Sequence, residues 1–354
     1  MSRASPRIAV TGVGMVSALG VGAKPTFDRL CAGDTGIGEL TLFDTAGLAA
    51  KLAGEVSGLV VPSGSERADA LALLAAREAL SQAKLQTTGS RLGLVLGSTA
   101  AGMLETEAEL LASPGNAPET WPRARRLLTH PLASAERSLA RALGGIEQSV
   151  TVCSACSSGA LALVVAAHWI ASGRAERVLA GGVDPLCRMT FAGFGALGVL
   201  DAEACRPFDI SRRGLTLGEG AGFLLLESEA SVARRGVEPL AWFSGWAVGA
   251  EAHHVTHPEE GGERAAELIE RALAVAGRSR HEVQYVNAHG TGTPANDAME
   301  ARAIARAFGD ALPNVAVSSS KGQLGHTLGA AGAIEAAICV LALCEGRVPP
   351  TRGL

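Results

Sequence analysis

Residues 151–163, TVCSACSSGALAL, pass from a β-branched run through a turn of small residues into a helix with almost no polar side chain. Cys156 stands at the turn, and Ser157, Ser158 and Gly159 open the helix behind it. Amides at a helix N-terminus favour a thiolate, and the small residues that follow leave room for a bulky group at the sulfur. This points to a nucleophilic cysteine. The same residues permit two plainer readings. Cysteine is often a buried filler, which suits Cys339 and Cys344 better than this turn, and Cys153-x-x-Cys156 has the spacing of a dithiol redox pair. Redox pairs of that kind usually lie near the first strand of a small domain with Pro or Gly between the cysteines, which is not the case here.

Working outward, short strand-like runs at Arg7–Thr11, Leu92–Leu96, Arg177–Ala180, Phe223–Leu226, Val283–Val286 and Val315–Ser318 alternate with helical stretches. That alternation predicts parallel α/β layers rather than a sandwich. Ala160–Ile170 and Ala330–Cys344 are apolar on nearly every side, so both are expected in the interior, which requires more than two layers. Ala330–Cys344 is interrupted by Glu335 and falls short of the roughly 18 residues of a membrane span, so it reads as a core helix. A soft boundary at Arg234–Pro239 divides the chain into halves, 1–235 and 236–354. A strand, a turn and a reactive-type residue recur near Cys156, His289 and His326, a hint that the halves are related.

Composition sets the outer limits. The 354 residues are 47% hydrophobic and 19% charged, which excludes disorder and fibrous structure. Thirty-one basic against 35 acidic residues leave a net charge of -4, so no general basic field exists for nucleic acid or an anionic membrane. Seven cysteines without framework spacing, and an N-terminus without an apolar signal core, predict a reducing, cytoplasmic setting.

Partners for a cysteine nucleophile lie in NAHGTGTPANDAMEA and SSSKGQLGHTLGAAGA. His289 and His326 each follow a strand and sit among glycines, a setting that aims a side chain into a cavity. Lys321 is one of four lysines in a chain that otherwise uses arginine. Glu300, three residues after Asp297, fits either this polar group or a helix-capping box. Two further patterns carry less. Gly12–Gly14 lacks the third glycine of a dinucleotide fingerprint, with Ser17 in its place. His253, His254 and His257 crowd one loop without convincing carboxylate geometry for a metal.

Taken together, these segments resemble the β-ketoacyl-acyl-carrier-protein synthases, decarboxylating condensing enzymes of the thiolase-like superfamily. RIAVTGVGMVSALG resembles their opening strand and loop, and CRPFDISRRGLTLGEGAGFLLLE, residues 205 to 227, their RPFD…GEGAG signature, with the HGTGTP and KGQLGH segments in the same order. The second histidine favours the elongating and type II polyketide branches, because initiating synthases usually carry Asn there. The resemblance implies an α/β thiolase-like αβαβα fold: two related halves, with interior helices between two mixed sheets. It implies Cys156 as the acylated nucleophile, its amide forming half of an oxyanion hole. It implies His289 and His326 as the groups that flank the malonyl thioester, Lys321 as the residue orienting His326 and its surroundings by electrostatics, and Glu300 as support. Thr291 and Thr293 would bind the phosphopantetheine arm. No metal and no cofactor follow from it, since substrates ride on acyl carrier protein, and the HH-x-T stretch would be structural.

The partners it implies are acyl carrier protein and a second subunit, identical or paralogous, without nucleic acid or membrane. Arg123, Arg125, Arg126, Arg206, Arg212 and Arg213 are candidate docking cations for an acidic carrier. Family members continue beyond the position of Leu354 with a late glycine-rich loop. On that ground the chain is expected to be a fragment, a shortened product or an impaired subunit with exposed sheet edges. The alternatives to a condensing acyltransferase are a noncatalytic chain-length-factor-like partner, whose kind usually lacks the nucleophile, and a coenzyme A thiolase, whose kind usually pairs a second cysteine with one histidine.

Overall fold

The computed structural model describes residues 7–112, 124–254 and 257–354. Its principal sheet holds β1 (Ile8–Ser17), β2 (Leu92–Gly97), β3 (Ile146–Val152), β4 (Arg177–Asp184) and β5 (Gly220–Ser228), in the order β1-β5-β4-β2-β3. Pairs β2–β3 and β2–β4 run parallel, while β1–β5 and β4–β5 run antiparallel. The short strands Gly20–Val21 and Ala241–Trp242 add to β1. A second, parallel pair is formed by β6 (Tyr285–Asn287) and β7 (Ala316–Ser318), with Val286 opposite Val317.

The helices that frame these sheets include α1 (Arg67–Gln82), α2 (Ala133–Leu143), α3 (Ser158–Ala171), α4 (Arg188–Ala196), α5 (Glu263–Ala276), α6 (Pro294–Phe308) and α7 (Ala331–Glu345). On one face of the main sheet, α1 and α2 pack through Leu71, Ala75, Ala79 and Leu139 against Leu94, Leu179 and Leu225. On the other face, α3 and α7 pack through Leu163, Ala166, Ile334 and Ile338 against Val95, Ala180 and Leu224. Tyr285 of the second pair packs against this same core. Beyond it, α5 and α6 cover that pair through Ala266, Met299, Ile304 and Phe308. The layers run α, β, α, β, α, as the family resemblance implies, although the second sheet has two strands among the described residues. The main sheet is mixed where the alternation predicts a parallel one, because β5 runs antiparallel to both β1 and β4.

Several sequence expectations resolve into packing. Gly12 and Gly14 belong to β1, where a Cβ would fall 2.0 Å from the carbonyl oxygen of Ala79 and 1.9 Å from that of Ala75. These glycines let a helix lie against the strand, and no phosphate loop exists there. Together with the 3₁₀ turn before it, α7 gives an apolar stretch, Leu328–Glu345, of 18 residues at mean hydropathy 1.8. That is longer than the sequence reading allowed and long enough to cross a membrane, yet 61% of it is buried within the fold. Position between two sheets accounts for the lack of a polar face. Helix α3 is less enclosed than expected, since Leu161, Val164 and Val165 are only half-buried. Strand β3 begins at Ile146, well before the β-branched run expected to lead into the Cys156 turn. Its sequence IEQSVTV carries three consecutive polar residues, and its exposure alternates over Ile146–Ser149 with no residue fully buried, as suits a strand at a sheet edge.

Candidate active site

Two helix starts create the site. Where α3 and α7 begin, a Cβ on Gly159 would lie 2.9 Å from the amide nitrogen of Ala333, and one on Gly332 would lie 2.7 Å from the Cβ of Ala160. Only residues without side chains allow the helices to meet this closely. The turns just before them therefore face each other. Cys156 precedes α3 on a turn in which Ala155 has φ 46°, held by hydrogen bonds from Ser157 N to Ser154 O and from Ser154 N to Ser158 Oγ. His326 precedes α7, and its Nε2 lies 3.0 Å from Cys156 Sγ. All seven cysteines are free thiols, so Cys153 and Cys156 are not joined.

His289 enters from the loop after β6, its ring centroid 5.2 Å from that of His326 at an interplanar angle of 88°. Glu300 on α6 holds that loop by accepting hydrogen bonds from the amides of His289 at 2.6 Å and Gly290 at 2.7 Å. It supports the backbone, as the polar-network reading requires, and does not cap its own helix. Asp297, 1% exposed, does the same one turn earlier for Thr291 and Gly292 and also accepts from Phe208 N.

Lys321 is 1% exposed. Its ammonium donates to the His289 carbonyl at 2.6 Å, lies 3.3 Å from His289 Nδ1, and forms an ion pair with Glu335. The hydrogen bonds thus go to His289, the ring beside His326. On His326 the lysine acts through its charge alone. Glu335 was read only as an interruption of the apolar helix. A lone acid on an interior helix, in a chain with one lysine in a glycine-rich polar loop, was the available signal for this pair.

Burial and the Lys321 charge together hold both imidazoles well below the usual histidine range, with His289 adding to the effect on His326. The rings are therefore neutral, and their tautomers follow from geometry. Leu328 N donates to His326 Nδ1 at 3.3 Å, and Lys321 faces His289 Nδ1. Amides and ammonium groups only donate, so each Nδ1 accepts and each proton sits on Nε2. Burial pushes the Cys156 thiol up, against the opposing pull of Lys321. The resting state is therefore a thiol, placed to accept the Nε2–H of His326.

These groups open into a cleft of about 620 Å³ shared with Thr291 and Thr293, whose hydroxyls lie 2.9 Å apart, and walled by Phe194, Leu197, Leu215 and Met299. An apolar wall with a few convergent polar groups suits an acyl chain on a polar arm. The apolar wall escaped the sequence reading because its residues come from three separated segments. His254 and His257 also reach the cleft, their rings 4.9 Å apart, whereas His253 lines a neighbouring depression. Cys156, His289 and His326 each place a potential ligand atom within 4.8 Å of the others.

Of the docking cations, Arg206 pairs with Glu203 at 3.3 Å, and Arg212 donates to the carbonyls of Asp209 and Pro294. Arg213 is exposed. Arg123 and the side chains of Arg125 and Arg126 lie outside the described residues.

Known proteins share both halves. The beta-ketoacyl synthase N-terminal domain matches residues 5–231, and its C-terminal domain matches residues 240–354. A 3-oxoacyl-[acyl-carrier-protein] synthase 2 of Staphylococcus aureus (strain COL) is 33% identical over 98% of this chain and 87% of its own length. Nodulation protein E of Rhizobium sp. (strain N33) is 36% identical over 98% and 88%. Among solved structures, the ishigamide ketosynthase/chain length factor superposes with a TM-score of 0.88 at 33% identity, covering 98% of this chain and 88% of that one. A type II polyketide ketosynthase in complex with its acyl-carrier protein and bound to the hexaketide gives a TM-score of 0.91 at 30% identity, covering 98% and 89%.

Proposed function

The chain belongs to the beta-ketoacyl synthase family, and from that premise we propose how its residues carry out a decarboxylative condensation between an acyl thioester and malonyl-acyl-carrier protein. It is an acyltransferase of the condensing type. In the first half-reaction the Cys156 sulfur bonds to the acyl carbonyl carbon, the pantetheine sulfur leaves, and the thiol proton passes to it. The amide of Cys156 serves as one oxyanion donor. In the second, the malonyl carbon–carboxylate bond breaks and carbon dioxide departs. Its electron pair moves into the thioester as an enolate, whose oxygen accepts from the Nε2–H groups of His289 and His326. The enolate carbon then attacks the acyl carbonyl, and the Cys156 sulfur leaves as a thiolate that takes up one proton from solvent. Substrates, side chains and one solvent proton per turnover supply every atom of this sequence, which needs no cofactor.

The observation that carries this reading is the pair of neutral imidazoles locked as Nε2–H donors beside the sulfur. Preorganised donors at the place where negative charge develops are the largest source of such catalysis. Thr291 and Thr293 line the same cleft and are proposed to bind the phosphopantetheine arm. A noncatalytic partner subunit would not need these donors beside a free thiol.

The family's partners are proposed to extend to this chain, namely an acidic acyl carrier protein that meets Arg213 and a second subunit across β3. That strand has no partner on its outer side among the described residues, and the half-buried Leu161, Val164 and Val165 lie on the helix beneath the sheet. The division at about residue 235 is proposed as the boundary of the two halves. The function is tested by incubating the protein with acyl- and malonyl-carrier proteins. A β-ketoacyl-carrier protein, formed with one carbon dioxide per turnover, is expected. Absence of both products with every primer of an acyl series would exclude it.

A further inference from the structure

The groups that meet in the cleft have the composition of a zinc site: one sulfur and two imidazoles, with ligand atoms within 4.8 Å of one another. Zinc takes such ligands at about 2.0–2.3 Å and tolerates an open fourth position. A histidine ligates through a nitrogen that carries no proton, and its other nitrogen then normally donates to an acceptor. Here the surroundings are inverted. Leu328 N presents a donor to His326 Nδ1 at 3.3 Å, and Lys321 Nζ presents one to His289 Nδ1 at 3.3 Å. A metal on either Nε2 would move the ring proton to Nδ1 and set one N–H against another, in His289 against an ammonium. Lys321 cannot easily withdraw, because the His289 carbonyl at 2.6 Å and Glu335 both hold it. A divalent metal bound to one thiolate also keeps a net positive charge, which the lysine repels.

We propose that Lys321, together with the Leu328 amide, makes the Cys156–His289–His326 cluster exclude zinc-type metal ions, which keeps the sulfur free for thioesters. The inference rests on the tautomers assigned to the same site and is independent of which substrate the site takes. It gives the lysine a role that a merely structural ion pair would not have.

Cobalt(II) is the probe, since a thiolate–cobalt bond gives a near-ultraviolet charge-transfer band that needs no carrier protein. The intact chain, Lys321→Met, Lys321→Arg and the charge-balanced Lys321→Met/Glu335→Gln are titrated, with circular dichroism and a thermal transition to establish folding. The unaltered protein and Lys321→Arg are expected to show no such band. The methionine variants should bind roughly tenfold or more tightly, the worth of about one lost opposing contact, and lose the band when Cys156→Ala is added. Equal binding by the unaltered protein, or no band in a folded methionine variant, would overturn the proposal. A second measurement needs no variant: alkylation of Cys156 by iodoacetamide should proceed at the same rate with and without added Zn²⁺, and marked protection by zinc would also overturn it. Condensation assayed on the unaltered protein stands or falls separately, so the two readings cannot be confused.

Discussion

The Nε2 of His326 lies 3.0 Å from the Sγ of Cys156 across 170 residues of chain. The Nδ1 of the same ring accepts from Leu328 N, which leaves Nε2 as the donor. This ring is a fixed hydrogen-bond donor and not a resting base. The resting pair is therefore neutral, and the charge it is built to meet is one that appears during reaction.

His326→Ala should lower kcat for condensation by about 10²–10³, the cost of one oxyanion donor, while acyl transfer to Cys156 falls less. Single-turnover measurement of the two half-reactions separates them. An equal loss in both would mean that His326 serves the sulfur rather than the enolate.

Glu335→Ala leaves the buried Lys321 ammonium without its carboxylate. Breaking a buried pair costs about 3–5 kcal/mol, and Glu335 is partly accessible, so the lower end is expected in urea unfolding. Lys321→Met/Glu335→Leu should recover much of that loss. A single variant as stable as the parent would show that the pair is not linked to folding.

The depressed histidines also set a pH dependence. In the unfolded chain both rings protonate near the ordinary value of 6.5, whereas folded they stay neutral well below it. The unfolded state binds more protons in that window, so stability should fall as pH drops below about 6.5 and level off above it. His289→Asn should flatten that slope by its share. An unchanged slope would place the protonation elsewhere.

How much of this was legible in the sequence depends on range. The turn at Cys156 and the apolar helices α3 and α7 rest on contiguous patterns, and both were readable. The glycine-flanked histidines were readable as cavity residues for the same reason. The hydrogen bonds of Lys321 to His289 and its pairing with Glu335 were not, because they depend on how the loop after β6 folds over α7. Gly12 and Gly14 were discounted as phosphate-loop glycines for want of a third glycine, but their packing role was not legible, because a close helix and a phosphate demand the same missing Cβ. The ends of Leu328–Glu345 were missed because a 3₁₀ turn extends the helix past its periodic part.

Gly332→Val forces a side chain into Ala160 at the crossing of α3 and α7. Overpacking of this kind costs roughly 1–3 kcal/mol and should also separate Cys156 from His326, so kcat should fall with stability. Retained activity at reduced stability would uncouple the crossing from the site.

Arg213→Glu should raise KM for malonyl-carrier protein while leaving kcat near its original value, with the effect shrinking at high salt. Arg206→Glu, already paired with Glu203, should act more weakly. The reverse order would move the docking surface.

The most direct test of the central claim is the intact mass of the protein after mixing with an acyl-carrier protein, before any malonyl substrate is added. The account predicts a mass increase of one acyl group that is absent from Cys156→Ala and disappears when malonyl-carrier protein follows. An acyl group that persists in Cys156→Ala, or a folded parent protein that takes up none from any primer, would contradict it.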